Sequence, residues 1–193
     1  LPASRERTGG LLSLFRHTPT AKHAARVMAK AGRVIGGSDV DHWLLLEVLK
    51  QTHLTLPELS HDYAALLTRC EQAKIDLSTR ASTTFMFEAQ GRAYPIFFTR
   101  AEFEQLLDTN GFYTAIRHAI DKVMYAARQQ SIFKEDIKHV LLVGGMSLLP
   151  SVQALLQRYF KDVAFLGDKP FTAVAQGALQ VAAGSGLDDY LAH

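Results

Sequence analysis

Two pairs of adjacent glycines, Gly36-Gly37 and Gly144-Gly145, each stand between an apolar stretch and a segment with helical spacing. Because glycine has no side chain, such a turn allows another molecule to approach the backbone closely. The first turn of the following helix presents free N–H groups and a partial positive charge. Together these features predict a place where a phosphate group or the edge of a sugar binds. Taken alone, a Gly-Gly turn more often serves only as a tight turn, and the presence of a second pair strengthens the prediction.

Three polar residues between the glycine pairs share one face of a predicted helix. Glu71, Lys74 and Ser78 are spaced i, i+3 and i+7, so their side chains project from the same side. An acceptor, a cationic donor and a hydroxyl in one row could bond a sugar and a base. The alternative is a solvent-facing ion pair followed by a serine near the end of the helix, and composition alone favours this alternative.

No catalytic or metal-binding constellation is predicted to accompany these residues. The stretch at Gly144-Gly145 lacks the Gly-Lys-Ser/Thr of a P-loop and the G-x-G-x-x-G spacing of a dinucleotide fingerprint. The eight histidines show no ligand spacing, and no Ser-His-Asp arrangement can be argued. Asp39 and Asp41 are interpreted as complementing the positive end of a helix rather than as an acid/base pair. We therefore predict no catalytic residue and no metal ligand.

The elements that would position these residues are a mixture of helices and strands, which indicates an α/β or α+β class. In the first half of the chain, apolar spacing and turn residues predict a hairpin over 24–35, a helix capped by Ser38, a helix from Ser60 or His61 to about Leu77, and two strands within 81–98 with a turn at Gly91-Arg92. Two helices are predicted next, one with Thr99 and Glu102 as its capping box and one over Tyr113–Gln129. The last elements predicted are a buried strand over 139–145, a helix over Pro150–Phe160, a strand over Val163–Leu166 and a helix from Pro170 to about Ala183.

Composition and charge are those of a soluble globular protein. The chain has 193 residues, of which 48% are hydrophobic and 21% charged, and no apolar run reaches the ~20 residues of a membrane span. The first 30 residues contain six basic residues and one acid, so their formal charge is +5. A basic start can indicate an anionic partner. Because the segment lacks the alternation of aromatic and basic residues that stacks nucleic-acid bases, we interpret residues 1–23 as a solvated irregular arm.

A single cysteine, Cys70, allows no intrachain disulfide and is typical of a reducing compartment, so we expect a cytoplasmic location. It falls on an apolar helix face, which indicates packing rather than a reactive thiol. The first residues do not predict a signal peptide, because Leu11–Phe15 is too short for its apolar region. The chain starts with leucine rather than methionine, and we interpret it as part of a longer protein.

Five segments occur in the order found in the seventy-kilodalton heat-shock chaperones, the DnaK-like branch of the actin-type ATPases. They read RVIGGSDVDHWLL, TRCEQAKIDLS, FTRAEFEQLL, DIKHVLLVGGMSLLPSVQALL and AVAQGALQVAAG, and they span residues 33 to about 184. The sequence resembles only the second lobe of that ATPase domain. The family's first lobe, with its phosphate loop and catalytic lysine, is not matched, and neither is its Asp-x-Gly-Gly-Gly-Thr loop.

The resemblance implies an α/β fold: an actin-like, ribonuclease H-like lobe with a mixed sheet, flanking helices and a smaller helix/hairpin subdomain. It implies that residues 24–184 form this lobe, with the smaller subdomain over about 38–112. Residues 185–193 would begin a linker to a further domain, and the arm over residues 1–23 would be an insertion.

The family binds ATP between its two lobes with Mg²⁺ and couples ATP hydrolysis to the clamping of unfolded peptides by a separate domain. Residue by residue, the resemblance implies that Glu71 and Lys74 hold the ribose and that Ser78 bonds the adenine. Gly144-Gly145 would pass along the ribose and α-phosphate, and Gly36-Gly37 would approach the phosphates.

Four positions depart from the family at the expected base slot. Ile75 and Leu148 stand where the family has arginines that flank the adenine ring. Met146 replaces a small serine, and Phe171 replaces an aspartate beside the base. The slot is therefore expected either to survive as an apolar sandwich between Ile75 and Leu148 or to have decayed.

The main functional prediction is a fragment of a divergent DnaK-like chaperone that supplies half of an ATP/ADP cleft and does not hydrolyse ATP on its own. A second hypothesis is a non-catalytic interaction module, which the altered slot favours. A third is another actin-like ATPase, such as a filament or cell-shape protein. The expected partners are the first lobe and peptide-binding domain of the same protein, a nucleotide-exchange factor and unfolded client proteins, with no nucleic acid and no membrane.

Overall fold

The computed structural model describes residues 27–59, 62–161, 163–167 and 172–183. The predictions for the basic arm over residues 1–23, for Phe171 and for the linker over residues 185–193 lie outside these ranges. In the described part of the chain, no helix is long and apolar enough to cross a membrane.

Helices make up most of the described chain, and their apolar spacing places one face of each against a neighbour. α1 and α2 pack against each other, and α3 contacts both of them. The bounds are α1 Gly37–Thr52, α2 Tyr63–Thr79, α3 Arg100–Thr109, α4 Phe112–Arg128, α5 Pro150–Tyr159 and α6 Ala173–Ala183. Each of the long helices predicted from the sequence is therefore present, with ends displaced by a few residues.

Four strands form two separate pairs in the described residues. β1 (Ser82–Ala89) and β2 (Arg92–Thr99) are antiparallel, and β3 (His139–Leu141) and β4 (Ala164–Leu166) are parallel, with α5 as the crossover between them. The mixed α/β class is confirmed, and the described strands form two two-stranded sheets. The β1–β2 hairpin packs against α2 and α3 rather than beside β3.

The turn of the β1–β2 hairpin lies one residue earlier than predicted. Gln90 and Gly91 occupy it with φ angles of +51° and +69°, and strand β2 begins directly at Arg92. Two successive positive φ angles are typical of a type I′ turn, whose twist matches that of the flanking strands.

The predicted hairpin over residues 24–35 is wrong where the structure describes it. Residues 27–36 have no regular secondary structure, and Val34 is fully exposed. Two short apolar runs do not form a stable hairpin unless another element covers them. The predicted N-cap is also wrong, because α1 begins at Gly37 and the Asp39 carboxylate accepts a 2.7 Å hydrogen bond from the N–H of Gly36, so the cap comes before Ser38.

The strand predicted to be buried over residues 139–145 is shorter and more exposed than expected. β3 has three residues, and Leu141 is 66% exposed. An unbroken apolar run is typical of a strand covered on both faces. In the described residues β3 pairs with β4 alone, and an open apolar groove of about 520 Å³ separates β3 from α4 and α5.

The best-packed core lies between α1, α2, α3 and the hairpin. Its members are large apolar side chains from each of these elements, so they fix the relative positions of α1 and α2. The fully buried ones include Val40, Leu44, Leu45, Leu66, Leu77, Ile96, Phe98, Phe103 and Leu107.

The predicted capping box at the start of α3 is confirmed. The Glu102 N–H donates to the Thr99 hydroxyl at 3.2 Å, and the Thr99 N–H donates to the Glu102 carboxylate at 2.8 Å. The hydrogen bonds from the backbone and hydroxyl of Thr99 lower the pKa of Glu102 below its ordinary value of 4.5. Because this pKa is lower in the folded state, the stabilisation is present above pH 4.5 and is lost as the pH falls through the folded-state pKa.

Replacing Thr99 with alanine is therefore expected to lower the free energy of unfolding by about 1 kcal/mol, because the Glu102 N–H loses its acceptor. Urea unfolding at pH 7 measures this difference. As a matched control, the difference between wild type and Glu102→Gln should be present at pH 7 and shrink as the pH falls below 4.5. Equal urea midpoints for the wild type and both variants at pH 7 would show that the cap does not form.

Candidate functional site

Most of the residues singled out in the sequence line one cavity of about 480 Å³. It lies where the N-terminus of α1, one face of α2 and the turn after β3 meet. Two stretches far apart in sequence thus converge on α2, as the polar row and glycine pairs predicted. The described residues around the cavity are Gly37, Glu71, Lys74, Ile75, Asp76, Ser78, Thr79, Arg80, Val143, Gly144, Gly145, Met146 and Leu148.

The first glycine pair forms the start of α1. Gly36 is the N-cap residue, with extended backbone, and Gly37 is the first helical residue and lines the cavity. A Cβ atom on Gly37 would lie 3.2 Å from the ammonium nitrogen of Lys74. The missing side chain at Gly37 therefore lets the Lys74 ammonium come close to the beginning of the helix.

Lys74 is held by a buried ion pair that the sequence did not predict. Its ammonium nitrogen lies 2.8 Å from both carboxylate oxygens of Asp41, donates to Oδ2, and also donates to the Gly37 carbonyl oxygen at 3.3 Å. The Asp41 Oδ1 atom is buried, and the Lys74 ammonium is its charged partner. The Lys74 and Asp41 side chains are only 13% and 10% exposed, so water screens this pair weakly.

Asp41 thus does not act on the helix end as expected, and this interpretation is corrected. Asp39 does so, whereas Asp41 lies on the buried side of α1 beside Val40 and Leu44. A charged residue within an apolar stripe indicates a buried partner of opposite charge. The position of Asp41 was the available signal, but the sequence could not identify Lys74 as the partner.

The other two members of the polar row have different environments. Ser78 is buried and its hydroxyl donates to the Lys74 carbonyl oxygen at 3.0 Å, which leaves the Ser78 oxygen able to accept a further bond. Glu71 is exposed at the cavity wall. The row is therefore not the solvent-facing ion pair of the alternative interpretation, because Lys74 pairs with Asp41 instead of Glu71.

The second glycine pair makes the opposite wall. Gly144 has a φ angle of +85°, a backbone conformation that favours glycine, and the space where its Cβ would lie is open. The chain continues as a short 3-10 turn over Gly145–Leu148, closed by a 2.7 Å bond from the Ser147 hydroxyl to the Gly144 carbonyl oxygen. α5 starts only at Pro150, so its first turn does not point directly into the cavity from Gly144-Gly145 as predicted.

The rest of the cavity is lined by aliphatic side chains together with Asp76, Thr79 and Arg80. Ile75, 45% exposed, projects from α2, and Leu148 closes the 3-10 turn after Gly144. Met146 lies beside them and packs against the hydrophobic core. Ile75 and Leu148 therefore face the same space, as an apolar slot requires, while Phe171 lies outside the described residues.

Cys70 lies one turn before Lys74 on α2 and is completely buried. Desolvation, with a smaller contribution from the Asp41 charge, raises the pKa of the Cys70 thiol to about 12. We expect Ellman's reagent at pH 8 to leave Cys70 unmodified in the native protein and to modify it fully in denaturant, because the thiolate is the reactive form. Rapid stoichiometric labelling without denaturant would contradict the burial of Cys70.

A wider depression of about 580 Å³ lies between α4 and α5, lined by Tyr113, Arg117, Ser151 and Arg158 among others. It shares no residue with the cavity at α2 and contains neither glycine pair. Among the described residues, no group of three or more His, Cys, Asp or Glu side chains could hold a metal ion. The cavity at α2 is therefore the site in which the predicted chemistry converges.

Comparison with known proteins gives matches over most of the chain. A family model described as "Hsp70 protein" matches residues 25–189. The Chaperone protein HscA homolog of Chromobacterium violaceum is 32% identical over 171 residues, which are 84% of this chain and 26% of the relative. The Heat shock 70 kDa protein of Emericella nidulans is 31% identical over 164 residues, 81% of this chain and 25% of the relative. The chain thus spans about a quarter of the length of these curated relatives.

Proposed function

This chain belongs to the Hsp70 protein family, and we propose that its cavity at α2 is one wall of an adenine-nucleotide cleft. The phosphates would lie towards Gly36-Gly37, and Glu71 and Lys74 would face the ribose. The base would lie between Ile75 and Leu148, within reach of the Ser78 hydroxyl. The longer protein would be a chaperone of the DnaK type.

The convergence of Gly37, Gly144 and Gly145 on the polar face of α2 is the observation that carries this proposal, whereas Gly36 does not line the cavity. Towards Gly37 the cavity has the N-terminus of α1, which favours negative charge, and the Lys74 ammonium, whose charge is offset by Asp41. Four residues further along α2 it has the Ser78 oxygen between aliphatic walls. A helix N-terminus at one end, and aliphatic walls with the Ser78 hydroxyl and the exposed Arg80 guanidinium at the other, suit a molecule with a phosphate at one end and a flat ring at the other.

Magnesium would reach this site with the nucleotide. The described residues offer no cluster of carboxylates for it, and the Asp41 carboxylate is occupied by Lys74. Mg²⁺ is commonly held by phosphate oxygens and water with few protein ligands. This chain's own part in the chemistry would be to bind and orient the nucleoside.

We further propose that the chain works as part of a longer protein, in which a first lobe closes the cleft and a peptide-binding domain clamps unfolded clients. A nucleotide-exchange factor would act on the same lobe. The chain alone is expected not to turn over ATP, because none of the residues around its cavity could position water at a γ-phosphate. Magnesium-dependent phosphate release by purified chain would contradict this expectation.

Saturation-transfer NMR with ADP tests nucleotide binding by the 193-residue chain. Signal transfer to the adenine protons is expected at about millimolar ADP, since only one wall of a cleft is present. Thr79→Trp places a large ring on the cavity wall and should abolish the transfer. Thr68→Trp, at an exposed position of α2 outside the cavity, is the matched control and should not change it. Equal signals from both variants would place any ADP elsewhere.

A nucleotide-independent interaction module is the second candidate, favoured by the aliphatic Ile75 and Leu148. An exposed isoleucine beside a leucine can contact a protein partner as well as a base. This candidate predicts that ADP gives no transfer with wild type at any concentration up to several millimolar, and ADP binding at the cavity would exclude it.

A further inference from the structure

We infer that Arg80 lies over the base of the bound nucleotide and stacks its guanidinium on the ring. This inference rests on the proposed function, and it assigns to Arg80 a role in recognition that neither the sequence pattern nor the polar row indicated. Its starting point is that Arg80 lines the same cavity as Ile75 and Leu148.

The cavity has two cationic side chains among its described lining residues, Lys74 and Arg80. Lys74 is fixed by Asp41 and by the Gly37 carbonyl oxygen, at the α1 end of the cavity. Arg80 comes six residues later, immediately after the last residue of α2, so it lies about 9 Å further along the axis of that helix. The two cationic side chains therefore lie at opposite ends of the cavity, and Arg80 lies at the same end as Ser78.

The Arg80 side chain is held only weakly. It is 71% exposed, and its nearest carboxylate in the described residues is Asp76 at 4.0 Å, the limit of an ion pair. Asp76 is meanwhile bonded by the Thr83 hydroxyl at 3.0 Å and the Gln72 amide at 3.1 Å. Arg80 can consequently reorient over a ligand without breaking a strong contact.

The surroundings indicate a ring rather than a phosphate as the group that Arg80 meets. The cavity that Arg80 lines has aliphatic surface from Ile75 and Leu148, whose side chains offer no hydrogen bonds, and the Asp76 carboxylate near Arg80, which would repel a phosphate. A planar guanidinium stacks on flat aromatic systems and is weakly hydrated, which suits a position beside apolar side chains. Lysine has no planar group, so Arg80→Lys should not replace this contact.

Titrations followed by ¹⁵N–¹H NMR with adenosine, ADP and ribose 5-phosphate test the inference. Arg80→Ala is expected to weaken the binding of adenosine and of ADP about three- to thirtyfold and to leave the binding of ribose 5-phosphate unchanged, since only adenosine and ADP carry the base. Arg80→Lys should weaken the binding of adenosine nearly as much as Arg80→Ala does. Arg69→Ala, at an exposed arginine on the same helix outside the cavity, is the matched control and should change nothing. Melting temperatures should be equal for all of these chains.

The remaining outcomes separate this inference from the proposed function. If Arg80→Ala weakens the binding of ribose 5-phosphate and leaves the binding of adenosine unchanged, Arg80 contacts the phosphate and the inference is overturned. Unchanged binding of all three ligands by Arg80→Ala would overturn the inference while the proposed function stands. Failure of wild-type chain to bind adenosine or ADP would overturn the proposed function, and the inference with it.

Discussion

Replacement of Lys74 by methionine is expected to lower the free energy of unfolding by about 3 kcal/mol. The change removes the only hydrogen-bond donor to the Asp41 carboxylate in the described residues and leaves that charge almost completely buried. An uncompensated buried charge costs several times more than the loss of an exposed pair. Urea unfolding at pH 7, followed by far-UV circular dichroism, measures the difference.

The chain contains a matched control for this variant. Lys50 pairs with Glu47 at 2.8 Å, but the Lys50 side chain is 71% exposed. Lys50→Met should therefore change the unfolding free energy by less than about 1 kcal/mol. The double variant Asp41→Leu with Lys74→Met should recover much of the stability lost by Lys74→Met, because it leaves no unpaired charge. If Lys74→Met lowers the free energy of unfolding no more than Lys50→Met does, the Asp41–Lys74 pair is not buried in solution.

Introducing arginine at both Ile75 and Leu148 is expected to tighten ADP binding by about 5- to 1,000-fold. Both side chains line the cavity, and each guanidinium stacked on the adenine ring contributes roughly 0.5–2 kcal/mol. The two contributions together give the expected range. Isothermal titration calorimetry with ADP measures it, since tighter binding brings the variant into the range of the instrument.

Two comparisons make the arginine variant informative. Thr68→Arg adds the same charge to an exposed position of α2 outside the cavity, and it should tighten ADP by no more than a general electrostatic effect. Ribose 5-phosphate should gain far less than ADP from the double arginine variant. Equal gains for ADP and ribose 5-phosphate would show attraction of the phosphates alone, and no gain would show that Ile75 and Leu148 do not face a base.

The sequence correctly predicted those structural elements that are determined by interactions between residues close together in the chain. The capping box at Thr99 and Glu102, the apolar period of α4 and the Pro150 start of α5 need only neighbouring residues, and all three are confirmed. The hairpin predicted over residues 24–35 and the buried state of β3 depend on what covers them. Apolar runs show that a segment tends to be buried, but they do not identify the surface that would bury it.

In the candidate site, too, features set by residue type and spacing could be predicted, whereas features set by the packing of distant segments could not. The glycine pairs and the row of Glu71, Lys74 and Ser78 could be recognised by residue type and spacing, and the structure brings all of them except Gly36 to one cavity. Asp41 was misassigned because the choice between a helix end and a buried lysine depends on how α1 packs on α2. Arg80 was not recognised because it follows the end of α2, where helical spacing no longer predicts direction.

Chemical-shift mapping of the ¹⁵N-labelled chain with ADP tests the central claim most directly. The amides of Gly37, Gly144 and Gly145 and those of residues 74–80 should shift together with one dissociation constant, because the cavity joins these segments around a single ligand. The amides of Tyr113 and Ser151, at the wider depression between α4 and α5, should stay unchanged. Shifts confined to that depression, or no shifts at several millimolar ADP, would contradict the account.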